Sequence, residues 1–207
     1  MRIMSKEARV FFNKFMKKPN QIGSVVPSSR FLAESMVGSI PWHNVKAVAE
    51  LGAGTGAITR AISRRAGPDT RVYLFEKDSK MRKQLKSEYP DYTCAANVTN
   101  MLRILEQEGE SQLDCIVSGL PFYNFPQHLR DKLMEQIIGA LKPDGLFVAF
   151  QYSLQMRKQM SKLFEIEKIK FVPLNFPSAF VYVCRKATDS HNDVEFIVER
   201  KADQGLE

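Results

Sequence analysis

From residue 46 onward the chain alternates short apolar runs with longer segments whose apolar residues recur every three or four positions. The runs at 46–51, 71–76, 91–95, 113–118 and 145–151 have the length and composition of strands, and the segments 56–66, 78–88, 99–108 and 127–141 between them have the helical period. A further helix is expected at 154–163, then two β segments at 164–172 and 178–185. Pro173–Pro177 joins those two without a helical stretch, which predicts an antiparallel pair closing one edge. Regular alternation of this kind builds a mostly parallel sheet. The prediction is therefore an α/β fold: a seven-stranded, mostly parallel sheet with helices on both faces.

Two helices are expected ahead of the alternation. Residues 4–17 place Val10, Phe11, Phe12, Phe15 and Met16 toward one side, and a second helix over about 28–39 follows Pro27 with a serine available as its cap. Pro41 separates it from the first strand. The expected organisation is an N-terminal helical extension over 1–40, a core domain over 41–186 and a polar tail over 187–207.

Composition changes this picture little. Forty-four per cent hydrophobic and 26% charged residues describe an ordinary globular protein, and 207 residues fit one domain. No apolar run is long enough to span a membrane, the N-terminus has no secretory h-region, and Cys94, Cys115 and Cys184 are scattered in strand-like segments. Buried thiols in a reducing cytoplasm are expected, and no metal-ligand spacing exists. The charge is more informative. Thirty basic against 23 acidic residues give +7, and residues 1–20 hold Arg2, Lys6, Arg9, Lys14, Lys17 and Lys18 against Glu7 alone. Such a segment attracts polyanions, either nucleic acid or an anionic membrane surface.

The stretch VKAVAELGAGTGAITR, residues 45–60, carries the chemistry. A strand ends at Glu50-Leu51, breaks into Gly52-Ala53-Gly54-Thr55-Gly56 and passes straight into a helix. Glycine permits a tight turn and close approach of backbone to a ligand. No Lys-Ser/Thr follows, which excludes an ATPase phosphate loop, and Gly54-Thr55-Gly56 lacks the two-residue gap of the dinucleotide fingerprint. This form resembles the cofactor loop of the class I S-adenosylmethionine-dependent methyltransferases. The resemblance implies a Rossmann-like methyltransferase fold and S-adenosyl-L-methionine as cofactor. Glu76, followed by Lys77, ends the second strand at the spacing of a ribose-binding carboxylate. The resemblance further implies that Glu50 helps position the methionine amino group. Asn97 stands where the family usually has an aspartate for the adenine amino group, with Val98 beside the ring. Leu141-Lys142-Pro143-Asp144-Gly145 resembles the turn before these enzymes' fifth strand.

The acceptor side is expected after the fourth strand, at Ser118-Gly119-Leu120-Pro121-Phe122. N-methyltransferases that act on planar amines have Asn or Asp here, then Pro-Pro or Leu-Pro and an aromatic. This chain keeps the proline and the aromatic but has Ser118 where the acceptor belongs, which points away from a nucleobase and leaves Ser118, at the strand end, as an expected cofactor contact. That segment, with Ile22–Ser29, resembles the soluble bacterial phospholipid (phosphatidylethanolamine) N-methyltransferases, relatives of the ribosomal RNA adenine dimethyltransferases. The resemblance spans about residues 5–186. On this reading Leu120, Pro121 and Phe122 line the substrate, and Ser28, Ser29 and Arg30 hold a phosphate, although ordinary capping accounts for the serines equally well. Tyr123, His128 and Tyr152 are candidates to take the proton of an ammonium headgroup, and the rings of Phe122, Tyr123 and Tyr152 to cage a methylated cation.

The first expectation is therefore transfer of a methyl group to the headgroup amine of a phospholipid, at the inner face of the membrane. There the basic N-terminal helix would lie in the interface of an anionic surface. A ribosomal RNA adenine N-methyltransferase or another N-methyltransferase is the alternative, the RNA enzyme being disfavoured by Ser118 and by the short stretch after residue 186. A catalytically silent cofactor- or lipid-binding module is the third reading.

Overall fold

A computed structural model describes residues 29–187. The helix expected over 4–17, Ser28 and all but the first residue of the tail lie outside the described residues. In chain order the elements are α1 (Arg30–Val37), β1 (Ala47–Leu51), α2 (Ala57–Ser63), β2 (Arg71–Phe75), α3 (Ser79–Glu88), β3 (Thr93–Ala95) and α4 (Met101–Gln107). Then come β4 (Leu113–Ser118), α5 (Gln127–Ala140), β5 (Leu141–Gln151), α6 (Arg157–Leu163), β6 (Glu165–Val172) and β7 (Ala179–Arg185).

The seven strands form one sheet in the order β3-β2-β1-β4-β5-β7-β6, parallel from β3 to β5 and antiparallel at β7 and β6. Side chains alternate across each strand, so every central strand feeds two cores. Val48, Val72, Leu74, Val117 and Val148 pack under α1, α2 and the Leu85 side of α3. Ala49, Tyr73, Phe75, Ile116 and Phe147 pack under α4, α5 and α6. Both faces are thus covered, as near-continuous apolar strands require.

Two boundaries differ from expectation. Leu32, Ala33, Met36 and Val37 of α1 are buried in the first core, so the helix following Ser29 is part of the sheet domain and not an appendage to it. β5 begins at Leu141, ahead of the expected turn, because Leu141 pairs with Leu113 before Lys142–Gly145 bulges out and Leu146 resumes opposite Cys115. Asp144 takes φ 61 within that bulge, and the bulge is held by Lys186, whose N–H donates to the Gly145 carbonyl at 2.9 Å.

The chain runs outward from β1 to β3 and then returns to place β4 against the other side of β1. This reversal opens a crevice at the carboxyl ends of β1 and β4, the place where open α/β sheets bind ligands. The β6–β7 turn lies at the same end of the sheet, since Gln151, the last residue of β5, pairs with Phe180 at the start of β7.

Candidate active site

The crevice is built on the glycine loop. Gly52, Gly54 and Gly56 adopt φ of +76, +56 and +80, a region that side chains rarely tolerate. Two of them also serve packing: a Cβ on Gly52 would meet Leu120 Cδ2 at 2.9 Å, and one on Gly56 would meet Leu85 Cδ2 at 3.1 Å. A Cβ on Gly54 would meet nothing within 4 Å. The loop is thus pinned at its ends and open above its middle. The N–H groups of Gly52 and Ala53 donate to the Phe75 carbonyl at 2.8 and 3.2 Å, which ties the loop to the end of β2.

Two carboxylates belong to this region, Glu76 bonded to the loop and Glu50 buried in the strand that leads into it. Glu76 accepts from the Gly54 N–H at 2.7 Å through one oxygen and from the Asp78 N–H at 2.8 Å through the other. Arg82 fixes the same turn by donating to the main-chain carbonyls of Glu76 and Lys77. Glu50, in β1, is fully buried. One of its oxygens accepts from the Thr59 hydroxyl at 2.6 Å; the other has no hydrogen-bond partner. Burial pushes this carboxyl up to about 8; the Thr59 hydroxyl opposes the rise, and the Glu76 carboxylate adds to it. An orphaned buried carboxylate oxygen is costly, and a cationic partner would remove that cost.

The comparisons with known proteins decide the family. The chain is 34% identical over 190 residues, 89% of its own length and 99% of the relative's, to the ornithine lipid N-methyltransferase of Singulisphaera acidiphila. The chain belongs to the class I S-adenosylmethionine-dependent methyltransferases. A methyltransferase domain family matches residues 48–145. The ubiquinone/menaquinone biosynthesis C-methyltransferase of Pseudomonas putida is 23% identical over 168 residues, 77% of this chain and 64% of that protein. In fold the methyltransferase matches the crystal structure of the Burkholderia thailandensis 1,6-didemethyltoxoflavin-N1-methyltransferase, solved with that substrate and S-adenosylhomocysteine. The TM-score is 0.62 at 14% identity, with 90% and 92% of the two chains covered.

The protein is an S-adenosylmethionine-dependent N-methyltransferase, and its crevice suits that cofactor. The open space over Gly54, the bare oxygen of Glu50 and the strand-end carboxylate of Glu76 provide room, an anionic partner and hydroxyl acceptors. Ala53 is buried beneath the loop, and Thr55 is exposed on it. Asn97 is exposed at the end of β3, with half-buried Val98 opening a 3₁₀ turn beside it, and Lys77 is exposed after β2. All of these residues stand along one end of the sheet.

The acceptor side of this methyltransferase departs from the sequence reading. Phe122 is not a substrate-facing ring: it is 0% exposed and packs edge-on against Phe125 and Phe147, with centroids 6.4 and 6.1 Å away. The 3₁₀ turn Phe122–Asn124 swings it into the core under α4, α5 and α6 and leaves Tyr123 52% exposed at the rim. Ser118 is fully buried, and its hydroxyl accepts from the Leu120 N–H at 3.2 Å, so its side chain shapes the loop. Gly119, directly ahead of Leu120-Pro121, is tightly packed: a Cβ there would meet the Gly52 carbonyl oxygen at 3.1 Å. The Ser29 hydroxyl caps α1 by accepting from the Leu32 N–H at 3.1 Å, and Arg30 is exposed against the Phe31 ring. His128 is exposed in the first turn of α5.

Three contributors are illegible in the local sequence. Thr59 holds Glu50 from α2. Gln151 is buried at the end of β5, where its side-chain N–H donates to the Leu120 carbonyl at 3.2 Å. Asn175 is buried in the β6–β7 turn, accepts from the Ser29 N–H at 3.0 Å and donates to the Pro177 carbonyl at 2.7 Å. It also hydrogen-bonds Tyr152, whose hydroxyl is pushed up by burial, an effect that Asn175 opposes. Each of these residues ties one element to another, which no periodicity announces.

Proposed function

We propose that this methyltransferase moves a methyl group from S-adenosylmethionine to the primary amine of a polar membrane lipid. The observation that supports this most directly is the acceptor loop. Its Phe122 ring is in the core, its serine is turned inward and its glycine is tightly packed, so the motif positions that grip the edge of a planar amine in nucleobase enzymes are turned away from the crevice, leaving the exposed Tyr123 ring at the rim. An amine on a flexible stem needs less: carbonyl oxygens to orient it and a clear line to the methyl donor. The ornithine lipid activity of the relative described above supports the same substrate class and favours an ornithine lipid. Phosphatidylethanolamine, supported by the resemblance of Ser118–Pro121 and Ile22–Ser29, is the second reading and shares the amine chemistry.

When bound, S-adenosylmethionine supplies a methyl group already activated on a sulfonium. The task of the chain is therefore alignment. In this proposal Gly52–Gly56 and Ala53 hold the donor from below, Glu50 faces its amino group, Glu76 with Lys77 takes the ribose, and Asn97 and Val98 take the adenine. Leu120 and Pro121 bound the acceptor, with the Leu120 carbonyl held in place by Gln151. An aliphatic ammonium must lose a proton before its nitrogen attacks. Tyr152 is unsuited to take it, because burial holds its own proton on well above neutral pH. Water at the open rim accepts the proton, and the exposed Tyr123 and His128 are the side chains there that can relay it.

The test supplies methyl-labelled S-adenosylmethionine with ornithine lipid, phosphatidylethanolamine or ribosomal RNA, each dispersed in the same detergent. Label in either aminolipid and none in RNA is expected. Label confined to RNA overturns the reading, and the ratio between the two lipids chooses the headgroup.

A further inference from the structure

The exposed large apolar side chains of the described residues are Phe31, Tyr123, Leu154, Phe171, Leu174 and Phe176. All six stand at one end of the molecule. Tyr123 and Leu154 follow β4 and β5; Leu174 and Phe176 form the β6–β7 turn; Phe171 pairs with Phe180, opposite the last residue of β5; and Phe31 opens α1, which Asn175 ties to that turn. The cofactor crevice opens at this same end of the sheet. Water-facing apolar side chains distributed at random would not collect at one end.

We infer that the β6–β7 turn, with Phe31 beside it, is a surface on the folded domain that inserts into the interface of an anionic lipid bilayer and sets the crevice mouth against it. The inference rests on the lipid-acceptor reading above. Leu174 and Phe176 are 63% and 75% exposed, while Asn175 between them is buried and holds the turn to Ser29 and Pro177. The tip is thus braced from inside with its two largest apolar side chains facing out. No charged residue occurs from Phe171 to Cys184, whereas exposed cations stand at the same end of the molecule: Arg30, 5.6 Å from the Phe31 ring centroid, and Arg157 and Lys158 in the first turn of α6, the helix that follows β5. An uncharged apolar tip with exposed cations at the same end matches the layers of an anionic membrane, acyl boundary inside and headgroup phosphates outside. Residues 1–28 enter the domain at Ser29 beside the tip and are the competing occupant; the exposed cations favour the bilayer, because that segment is itself strongly basic.

The full chain is floated with vesicles of phosphatidylcholine and phosphatidylglycerol, which carry no amine acceptor, so that docking is read apart from catalysis. The double substitution L174S/F176S is expected to lower the vesicle partition coefficient about tenfold, with S-adenosylhomocysteine affinity and melting temperature unchanged because both residues are exposed. An unchanged partition coefficient overturns the inference. As a second readout, F176W in the unsubstituted chain is expected to add emission that shifts to the blue and is quenched by brominated lipid only when vesicles are present. Added emission that is already blue in buffer and indifferent to vesicles shows that the chain's own segment or a second copy covers the tip, and also overturns the inference. Labelling of detergent-dispersed aminolipid separates the two readings. If L174S/F176S floats normally yet labels lipid in detergent, the surface fails and the acceptor reading stands. If neither protein labels aminolipid in detergent, the acceptor reading fails whatever flotation shows.

Discussion

Glu50 has a buried carboxyl group with one oxygen bonded to Thr59 and the other bare. Its ordinary value of 4.5 is raised to about 8, so in the free protein it is largely protonated at neutral pH. Between those two values the folded state binds a proton that the unfolded state has lost, and stability therefore falls as pH rises through that window. Glu50→Gln should flatten this slope in thermal melts of the free protein. A cation placed beside Glu50 reverses its preference. If Glu50 faces the amino group of the cofactor, S-adenosylhomocysteine binding near pH 7 should release up to about one proton. Calorimetry in buffers of different ionisation enthalpy reads this directly. Glu50→Gln should bind about tenfold more weakly, the lower end of what a charge-assisted hydrogen bond contributes, and release none; proton release that survives in the variant would remove the role. Gly54→Ala makes a complementary test. The φ of +56 costs an alanine about 1 kcal/mol, but its methyl meets only open space, so the chain should fold while cofactor affinity falls about tenfold. A normal affinity in that variant would mean that the space over Gly54 is not the cofactor site. Glu50, Glu76 and the glycines are legible in sequence because their spacing along the backbone is itself the signal. Phe122 and Ser118 are not, because a single 3₁₀ turn decides which of two neighbouring aromatics is buried.

Elements are easier to read than sites, since each is specified by its own period. The buried strands show as apolar runs because both faces are covered, and α1 to α6 show by their one-sided apolar spacing. The misjudged start of β5 has a physical cause: Lys142-Pro143-Asp144-Gly145 is a turn by composition, yet Leu141 before it still pairs with Leu113. At that far end of the sheet Asp114 joins three segments. It accepts from the N–H groups of Lys46 and Ala47 at 2.7 and 2.9 Å and from the Lys142 ammonium at 2.5 Å. Burial pushes its carboxyl up, but the Lys142 bond and the two amides outweigh that and hold it below its ordinary 3.8. A lowered folded value gives stability that is present above the unfolded value and lost as pH falls through the folded one. Asp114→Ala should therefore destabilise the protein at neutral pH by about 1–3 kcal/mol, the cost of stranding its partners. It should also weaken the acid dependence of unfolding below about pH 4. Urea melts at neutral and acid pH measure both; equal destabilisation at the two would assign the loss to packing. Cofactor affinity should be unaffected, because this junction lies at the end of the sheet opposite the crevice.

At the scale of the molecule, charge and apolarity belong to different parts of the chain. Five of the seven excess positive charges fall within residues 1–20, outside the described domain, while the domain gathers its exposed large apolar side chains at the end where the crevice opens. A basic segment acts over roughly a Debye length and is screened by salt, whereas apolar insertion at contact is strengthened by salt if changed at all. The two contributions can therefore be separated by ionic strength. On vesicles containing phosphatidylglycerol, binding of the unsubstituted chain should fall several-fold as salt rises from about 0.01 to 0.15 M, over which the Debye length shrinks from about 30 to 8 Å. On phosphatidylcholine vesicles it should be weak and nearly flat. L174S/F176S should shift the whole curve down without changing its slope, while neutralising Lys14, Lys17 and Lys18 with glutamine should reduce the slope and leave the high-salt limit in place. If the charge variant and the apolar variant change the curve in the same way, the basic segment and the rim form one contact, and the segment must then be folded onto the tip it was expected only to accompany. Different changes place long-range attraction in residues 1–20 and insertion in the β6–β7 turn, an arrangement in which capture of the membrane precedes alignment of the crevice with its lipid.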